Sequence, residues 1–231
     1  MLEKESINYV KKNKKKLLES FALIDDFPAD ELPVSIFMAG SAGAGKTEIS
    51  KALISIFYKK YKKKLVRIDA DEIKEWLPQY TGKNSDEVGT ASYIGVEKLH
   101  DYCLSKEQNL ILDGTFSNLE KSKNNIKRSL DKKRFVEIYY LFQDPACSWD
   151  FTKKRGDLIG RTVPRDFFID SFLLSQRNVQ EVKDLFGKLI ILNLIIKDFT
   201  HKLDKVYLNI DNVTSYLNRN YTREELEDII K

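Results

Sequence analysis

Apolar residues in this chain of 231 residues fall into two kinds of run. Short, nearly unbroken stretches at Val34–Ala39, Leu65–Ile68, Leu110–Leu112, Phe135–Phe142, Leu189–Ile196 and Val206–Ile210 read as strands. Between them, apolar positions recur every three or four residues, as on one side of a helix. This spacing predicts a lysine-rich peripheral helix over 3–20, with Ile7, Val10, Leu17 and Leu18 on its inner side. It predicts further helices over Glu48–Tyr61 (Ala52, Leu53, Ile56 and Phe57 on one face), Ile73–Leu77 and Asp86–Lys106, the last with Gly89 and Gly95 as candidate breaks. Helices also follow over Leu119–Leu130, from Pro145 to about Arg155, and within Pro164–Phe186. Pro78 stops the Ile73–Leu77 helix, Pro145 suits a first helical turn, and Thr222 with Glu225 forms a capping box that opens a terminal helix. Strands alternating with helices give an α/β fold, a mostly parallel sheet flanked by helices.

Composition narrows the picture modestly. A hydrophobic fraction of 42% supports a sizeable core and argues against global disorder. Charged residues reach 32%, but 39 basic against 35 acidic side chains leave only +4, so charge alone does not point to nucleic acid. The runs Lys11–Lys16 and Lys59–Lys64 read as solvated helix ends. The longest apolar run, Leu189–Ile196, is interrupted by Asn193 and is too short to cross a bilayer. Residues 1–6 have no apolar core of a secretory signal. Cys103 and Cys147 are too few for a disulfide scaffold or a zinc site. A cytoplasmic protein that does not enter a membrane is the expectation.

One motif carries chemistry. Gly40-Ser41-Ala42-Gly43-Ala44-Gly45-Lys46-Thr47 matches G-x-x-x-x-G-K-[ST], and it lies between a predicted strand and a predicted helix, the context of a phosphate-binding P-loop. Glycines let backbone N–H groups converge on phosphate oxygens. The following helix adds its positive N-terminal end. Lys46 is placed for the β- and γ-phosphates and the Thr47 hydroxyl for Mg²⁺. The expected fold is therefore a P-loop NTPase, nucleotide-kinase-like: a helical extension over 1–32, then the kinase domain over 33–231 with a small lid at about 156–164.

A GTPase would need an N-K-x-D motif, which is missing, and the D-x-x-G match at Asp157–Gly160 lies far downstream of a switch position. A small-molecule kinase needs less, and its parts are present. Asp69-Ala70-Asp71 follows the second strand at the edge where an open α/β sheet holds ligands. Asp71 is the candidate base for the acceptor hydroxyl, although either aspartate could instead cap the next helix. Asp113 ends the third strand and would hold Mg²⁺ directly or through water; a structural turn role stays open. Arg155 and Arg161 flank Gly156 and Gly160 in a segment that reads as a lid, with guanidiniums that neutralise charge on the transferring phosphoryl.

Together these residues resemble the zeta-toxin family of bacterial P-loop kinases over roughly residues 33–187. Gly40–Thr47 is similar to the family's G-x-x-G-x-G-K-T. Ile68-Asp69-Ala70-Asp71 is similar to its I-D-x-D element, whose second acid is catalytic, which assigns that role to Asp71. Asn109-Leu110-Ile111-Leu112-Asp113-Gly114-Thr115 resembles its N-L-V-I-E-G-T strand and turn, with aspartate in place of glutamate. The resemblance implies Glu97 and Thr115 as substrate-binding residues, Arg155 and Arg161 as triphosphate-binding arginines, ATP and Mg²⁺ as cofactors, UDP-N-acetylglucosamine as acceptor and an antitoxin protein as partner. Glu97 could equally be a solvated helix charge. Where the family often continues G-T-G-R, this chain has Gly114-Thr115-Phe116-Ser117, which leaves Lys121 or Lys123 as candidates for a cation facing a substrate phosphate. Other acceptors (a nucleoside, a nicotinamide dinucleotide, an antibiotic or a polynucleotide 5′ end) and a non-catalytic nucleotide-binding module stay open on the sequence.

Overall fold

The computed structural model describes residues 1–159, 162–200 and 202–230. Its centre is a six-stranded sheet in the order β2-β3-β1-β4-β5-β6: β1 (Val34–Ala39), β2 (Val66–Asp69), β3 (Leu110–Asp113), β4 (Phe135–Phe142), β5 (Ile191–Lys197) and β6 (Leu203–Tyr207). The first five in that order run parallel and β6 returns antiparallel to β5. Nine α-helices occur among the described residues: α1 (Leu2–Lys12), α2 (Lys14–Ala22), α3 (Lys46–Tyr61), α4 (Ala70–Trp76), α5 (Ser85–Ser105), α6 (Leu119–Asp131), α7 (Pro145–Ile159), α8 (Arg165–Phe186) and α9 (Arg223–Ile229). No helix among those residues is long and apolar enough to cross a membrane. Both cysteines are free thiols, and Cys103 is buried.

Alternation along the strands decides which helices go where. Val66, Ile68 and Leu110 turn to the face covered by α5 with α1, α2 and α4. Phe37, Val136, Ile138, Tyr140, Leu192 and Leu194 meet α6 and α8. Ile36, Met38, Ile111, Leu141 and Ile195 turn the other way, onto α3. The α3 residues that pack there are Ile49, Leu53, Ile54 and Phe57, whereas Ala52 is exposed and Ile56 is 59% exposed. The predicted apolar face was thus rotated from the true one, which follows the i, i+4 row through 49, 53 and 57.

Other elements shift in instructive ways. The single helix expected over 3–20 is two, separated at Asn13, whose side-chain amide donates to the Tyr9 carbonyl at 2.9 Å and terminates α1. Val10, Leu17 and Ala22 are nevertheless fully buried, and Gln108 Nε2 donates to the Ala22 and Phe27 carbonyls at 3.0 and 2.6 Å. The N-terminal helices therefore share the α5 core. α5 runs unbroken through both glycines; at Gly95 the side chain of Ile73 lies so close that a Cβ would stand 2.8 Å from its Cγ2. The strand expected from Leu189 begins at Ile191, after a 3-10 turn over Gly187–Leu189. The last strand, expected at Val206–Ile210, is Leu203–Tyr207, and Asn209 with φ 51° ends the run. The lysines of both basic runs are exposed, and Lys63 pairs with Asp30 at 2.7 Å.

His100 gives the fold a pH dependence. It is fully buried on α5, edge-on to Phe37 with ring centroids 6.2 Å apart, and neither ring nitrogen has a partner among the described residues. Burial, reinforced by the charges of Arg128, Arg134 and Lys121, lowers its pKa to about 3. The unfolded chain, with an imidazole pKa near 6.5, binds a proton that the folded chain refuses, so stability is lost as pH falls from about 6.5 toward 3. Thermal melts should show the wild type losing ground to His100→Phe across that window. Parallel pH curves for the two would show that the imidazole is not the cause.

Candidate active site

Glycines shape the loop from β1 to α3 before any ligand is considered. At Gly43 φ is +74°, and a Cβ there would collide with the Ser148 carbonyl oxygen and the Thr152 hydroxyl of α7. The loop can lie flat against α7 only because the side chain is missing. Lys46 Nζ donates to the Gly40 and Ser41 carbonyls at 3.0 and 2.7 Å. Burial lowers the pKa of this ammonium, and the nearby carboxylates of Asp113, Asp69 and Asp71 pull it back up. Ala42 N donates to Ser171 Oγ of α8 at 3.3 Å, tying the loop to the second half of the sheet.

Across from Lys46 stands a carboxylate cluster. Asp69 and Asp113 are register partners at the ends of β2 and β3. Arg67 Nη2 bridges them, donating to Asp69 Oδ2 at 2.6 Å and Asp113 Oδ2 at 2.7 Å, while its other terminal nitrogen contacts Glu72. Ser50 Oγ donates to the same Asp113 oxygen at 3.0 Å. Burial pushes the Asp69 carboxyl up to about 6; the Asp113 carboxylate adds to the rise and Arg67 opposes it.

The two aspartates of Asp69-Ala70-Asp71 separate in role. Asp69 caps α4, its Oδ1 accepting from Asp71 N at 2.8 Å. The Asp71 carboxylate is left for other partners, among them Lys74 Nζ at 3.4 Å. Lys74 is itself nearly buried and donates to Ser85 Oγ at 2.7 Å, so α4 and the start of α5 are fastened beside Asp71.

Lys46, Thr47, Asp71, Asp113, Thr115 and Arg155 all line one cavity of about 590 Å³, with Ala42, Gly43 and Gly45 of the loop. Gly40, Ser41 and Ala44 are not on its wall; Gly40 N instead donates to the Thr115 carbonyl at 3.2 Å. Thr115 Oγ1 is 2.8 Å from Ser117 Oγ. Arg155 is exposed on α7, which continues to Ile159, so the first turn of the segment expected as lid is helical. Arg161 lies outside the described residues. Glu97 does not line the cavity: its carboxylate pairs with Lys121 at 2.9 Å and with Arg128 at 3.6 Å. Of the two lysines considered for the missing cation, Lys121 lines the cavity and Lys123 turns away to Glu181.

Sequence reasoning passed over Arg67, Lys74 and Tyr93. The first was detectable: Arg67 and Asp69 are two apart on a strand and so share a face. The second was too, since Asp71 and Lys74 are three apart on a helix.

The oxygen donors suit Mg²⁺. No cluster of three or more metal-type side chains occurs among the described residues. Mg²⁺ beside nucleotide phosphates needs only one or two protein oxygens, the rest coming from phosphate and water. Thr47 and Asp113 at the cavity wall meet that requirement.

A sequence model of the family described as Zeta toxin matches residues 20–216. No curated protein sequence matches the chain. Among solved structures, that of the PezAT chromosomal toxin–antitoxin system of Streptococcus pneumoniae aligns with TM-score 0.64 at 19% identity, covering 100% of this chain and 90% of that one. The AvrRxo1-ORF1:AvrRxo1-ORF2 structure with ATP aligns with TM-score 0.63 at 16% identity, covering 99% of this chain and 71% of that one. At such identities the structures speak for the fold. The family match spans most of the sequence, including the phosphate loop and the whole carboxylate cluster, and on that basis the chain belongs to the Zeta toxin family.

Proposed function

We propose that the chain is an ATP- and Mg²⁺-dependent phosphotransferase that phosphorylates a hydroxyl of a sugar nucleotide, with UDP-N-acetylglucosamine as acceptor. The observation that carries this reading is the shared cavity: Asp71, relieved of capping by Asp69, lines the same space as Lys46 and Thr47. The structure likened above that holds ATP supports the choice of nucleotide.

In this reading the loop N–H groups and Lys46 hold the β- and γ-phosphates, and Lys46 exchanges its two carbonyl partners for phosphate oxygens. Arg155 approaches from α7 and offsets charge on the transferring phosphoryl. Thr47 and Asp113 would hold Mg²⁺, which when bound supplies positive charge to the phosphates. Asp71 accepts the proton of the acceptor hydroxyl and aims its oxygen at the γ-phosphorus. The products are a phosphate ester, ADP and that proton. Arg161, which the sequence pairs with Arg155, shares that role.

Purified protein with labelled ATP and UDP-N-acetylglucosamine should yield a labelled sugar nucleotide. Label on another metabolite would displace the acceptor and keep the kinase. ATP bound without transfer to any acceptor in a metabolite extract would end the kinase reading. The solved structures above are of a toxin–antitoxin system and of a two-protein complex. They support extending a protein antitoxin partner to this chain.

A further inference from the structure

The phosphate loop divides the carboxyl edge of the sheet. Asp71 and Asp113 stand past β2 and at the end of β3 on one side of it, and β4 and β5 end on the other. A nucleotide whose last phosphoryl faces Asp71 therefore leads its ribose and base across the ends of β4 and β5. Lys197 is the last residue of β5. Its side chain crosses to the loop: a Cβ on Gly45 would collide with Lys197 Nζ and stand 2.8 Å from Glu48 Oε2, and Gly45 and Glu48 both line the cavity. Past the strand, Asp198 Oδ1 accepts from Thr200 N, Thr200 Oγ1 and Lys202 N at 2.8, 2.8 and 2.9 Å, folding a tight turn. Gln143 Nε2, just past β4, donates to the Asp198 carbonyl at 2.9 Å. The turn presents Phe199, 77% exposed, and sets its carbonyl 4.0 Å from Cys147 Sγ of α7.

We infer that Lys197 and Phe199 hold the nucleoside end of the nucleotide, its ribose and base, and do not bind the phosphates. This rests on the kinase reading above and names residues that hold its donor; the resemblance assigned no role beyond residue 187. Three features carry it. Lys197 spans from the end of β5 to the loop, so its aliphatic stem forms a floor beside the place where the phosphates end. Lys46 already supplies the ammonium for the β- and γ-phosphates, and Glu48 beside Lys197 Nζ offsets its charge, which leaves the stem rather than the charge to meet a ligand. Phe199 is a large ring left uncovered on a turn fastened to the end of β4, and a flat base can stack on it. The ligand class is a nucleoside whose 5′ oxygen carries the phosphates.

The test titrates the full chain by calorimetry with ADP and, separately, with inorganic pyrophosphate, the same two phosphates without the nucleoside. Wild type should bind ADP more tightly than pyrophosphate. Lys197→Ala should weaken ADP binding about fivefold and Phe199→Ser about tenfold, with pyrophosphate unchanged in both. Pyrophosphate binding also reports that each variant keeps its loop folded. Lys197→Met, which keeps the stem, should recover most of the loss, and Lys188→Ala, in the turn before β5, should match wild type. Equal losses for the two ligands in Lys197→Ala would make Lys197 a phosphate ligand and overturn the inference. ADP affinity unchanged in both Lys197→Ala and Phe199→Ser would overturn it too, as would a wild type that binds pyrophosphate as tightly as ADP. A wild type that binds neither ligand would end the nucleotide reading itself, and this inference with it.

Discussion

Asp71→Asn is expected to slow phosphoryl transfer by about 10²–10⁴-fold, the range for a lost general base, while nucleotide affinity stays within about twofold. The substitution keeps the size of the side chain and removes its ability to take a proton. Asp71 is not the helix cap, since Asp69 accepts the α4 backbone hydrogen bond, so the exchange should leave the helix start intact. Its ion pair with Lys74 becomes a hydrogen bond from the ammonium to a neutral amide oxygen, and Lys74 keeps Ser85 at 2.7 Å. Turnover with saturating ATP and acceptor, together with ADP titration, separates the two effects. A variant that turns over at near wild-type rate would show that the base lies elsewhere, with Asp69 the next candidate.

Arg67→Met should be the most damaging substitution for stability. The guanidinium is nearly buried and is shared by Asp69, Asp113 and Glu72. Without it, two adjacent carboxylates at the ends of β2 and β3 lose their common counter-charge. Breaking a buried ionic group by removing one member costs about 3–5 kcal/mol, or a melting temperature lower by about 10 °C for a chain of this size. The pH dependence follows from the direction of the Asp69 shift. Its folded pKa is already raised to about 6, and loss of Arg67 raises it further. The folded variant then holds a proton at pH values where the folded wild type does not, so its deficit relative to wild type shrinks as pH falls from neutral toward about 6 and levels off below that. Melts at neutral and mildly acidic pH check this. A variant as stable as wild type, or one that weakens further on acidification, would contradict the bridging role.

Much of this architecture was legible because local signals and tertiary demands agree. The phosphate loop combined a fixed spacing with a strand before it and a helix after it, and Thr222–Glu225 formed both hydrogen bonds of its capping box. Errors arose where one residue acts through a distant partner. Nothing local reveals that Gly95 is excused from breaking α5 by Ile73, or that Asn13 splits the first helix by folding back on Tyr9. The site divides similarly. Asp71 and Asp113 follow from strand ends, because an open sheet gathers them at one edge. Which cation faces the cavity depends on the rotation of α6, which separates Lys121 from Lys123 and which spacing alone left undetermined.

The contact between Gly43 and α7 has a mechanical consequence. With no room for even a methyl group between them, that point acts as a fulcrum, and the helix bearing Arg155 can pivot there but not slide inward. Arg155 is seven residues beyond Ser148, roughly 10 Å along the helix axis, so a tilt of about 10° carries it only about 2 Å. In the proposed transfer Arg155 therefore sits on a short lever, and its long, jointed side chain would cover most of the remaining distance to the nucleotide.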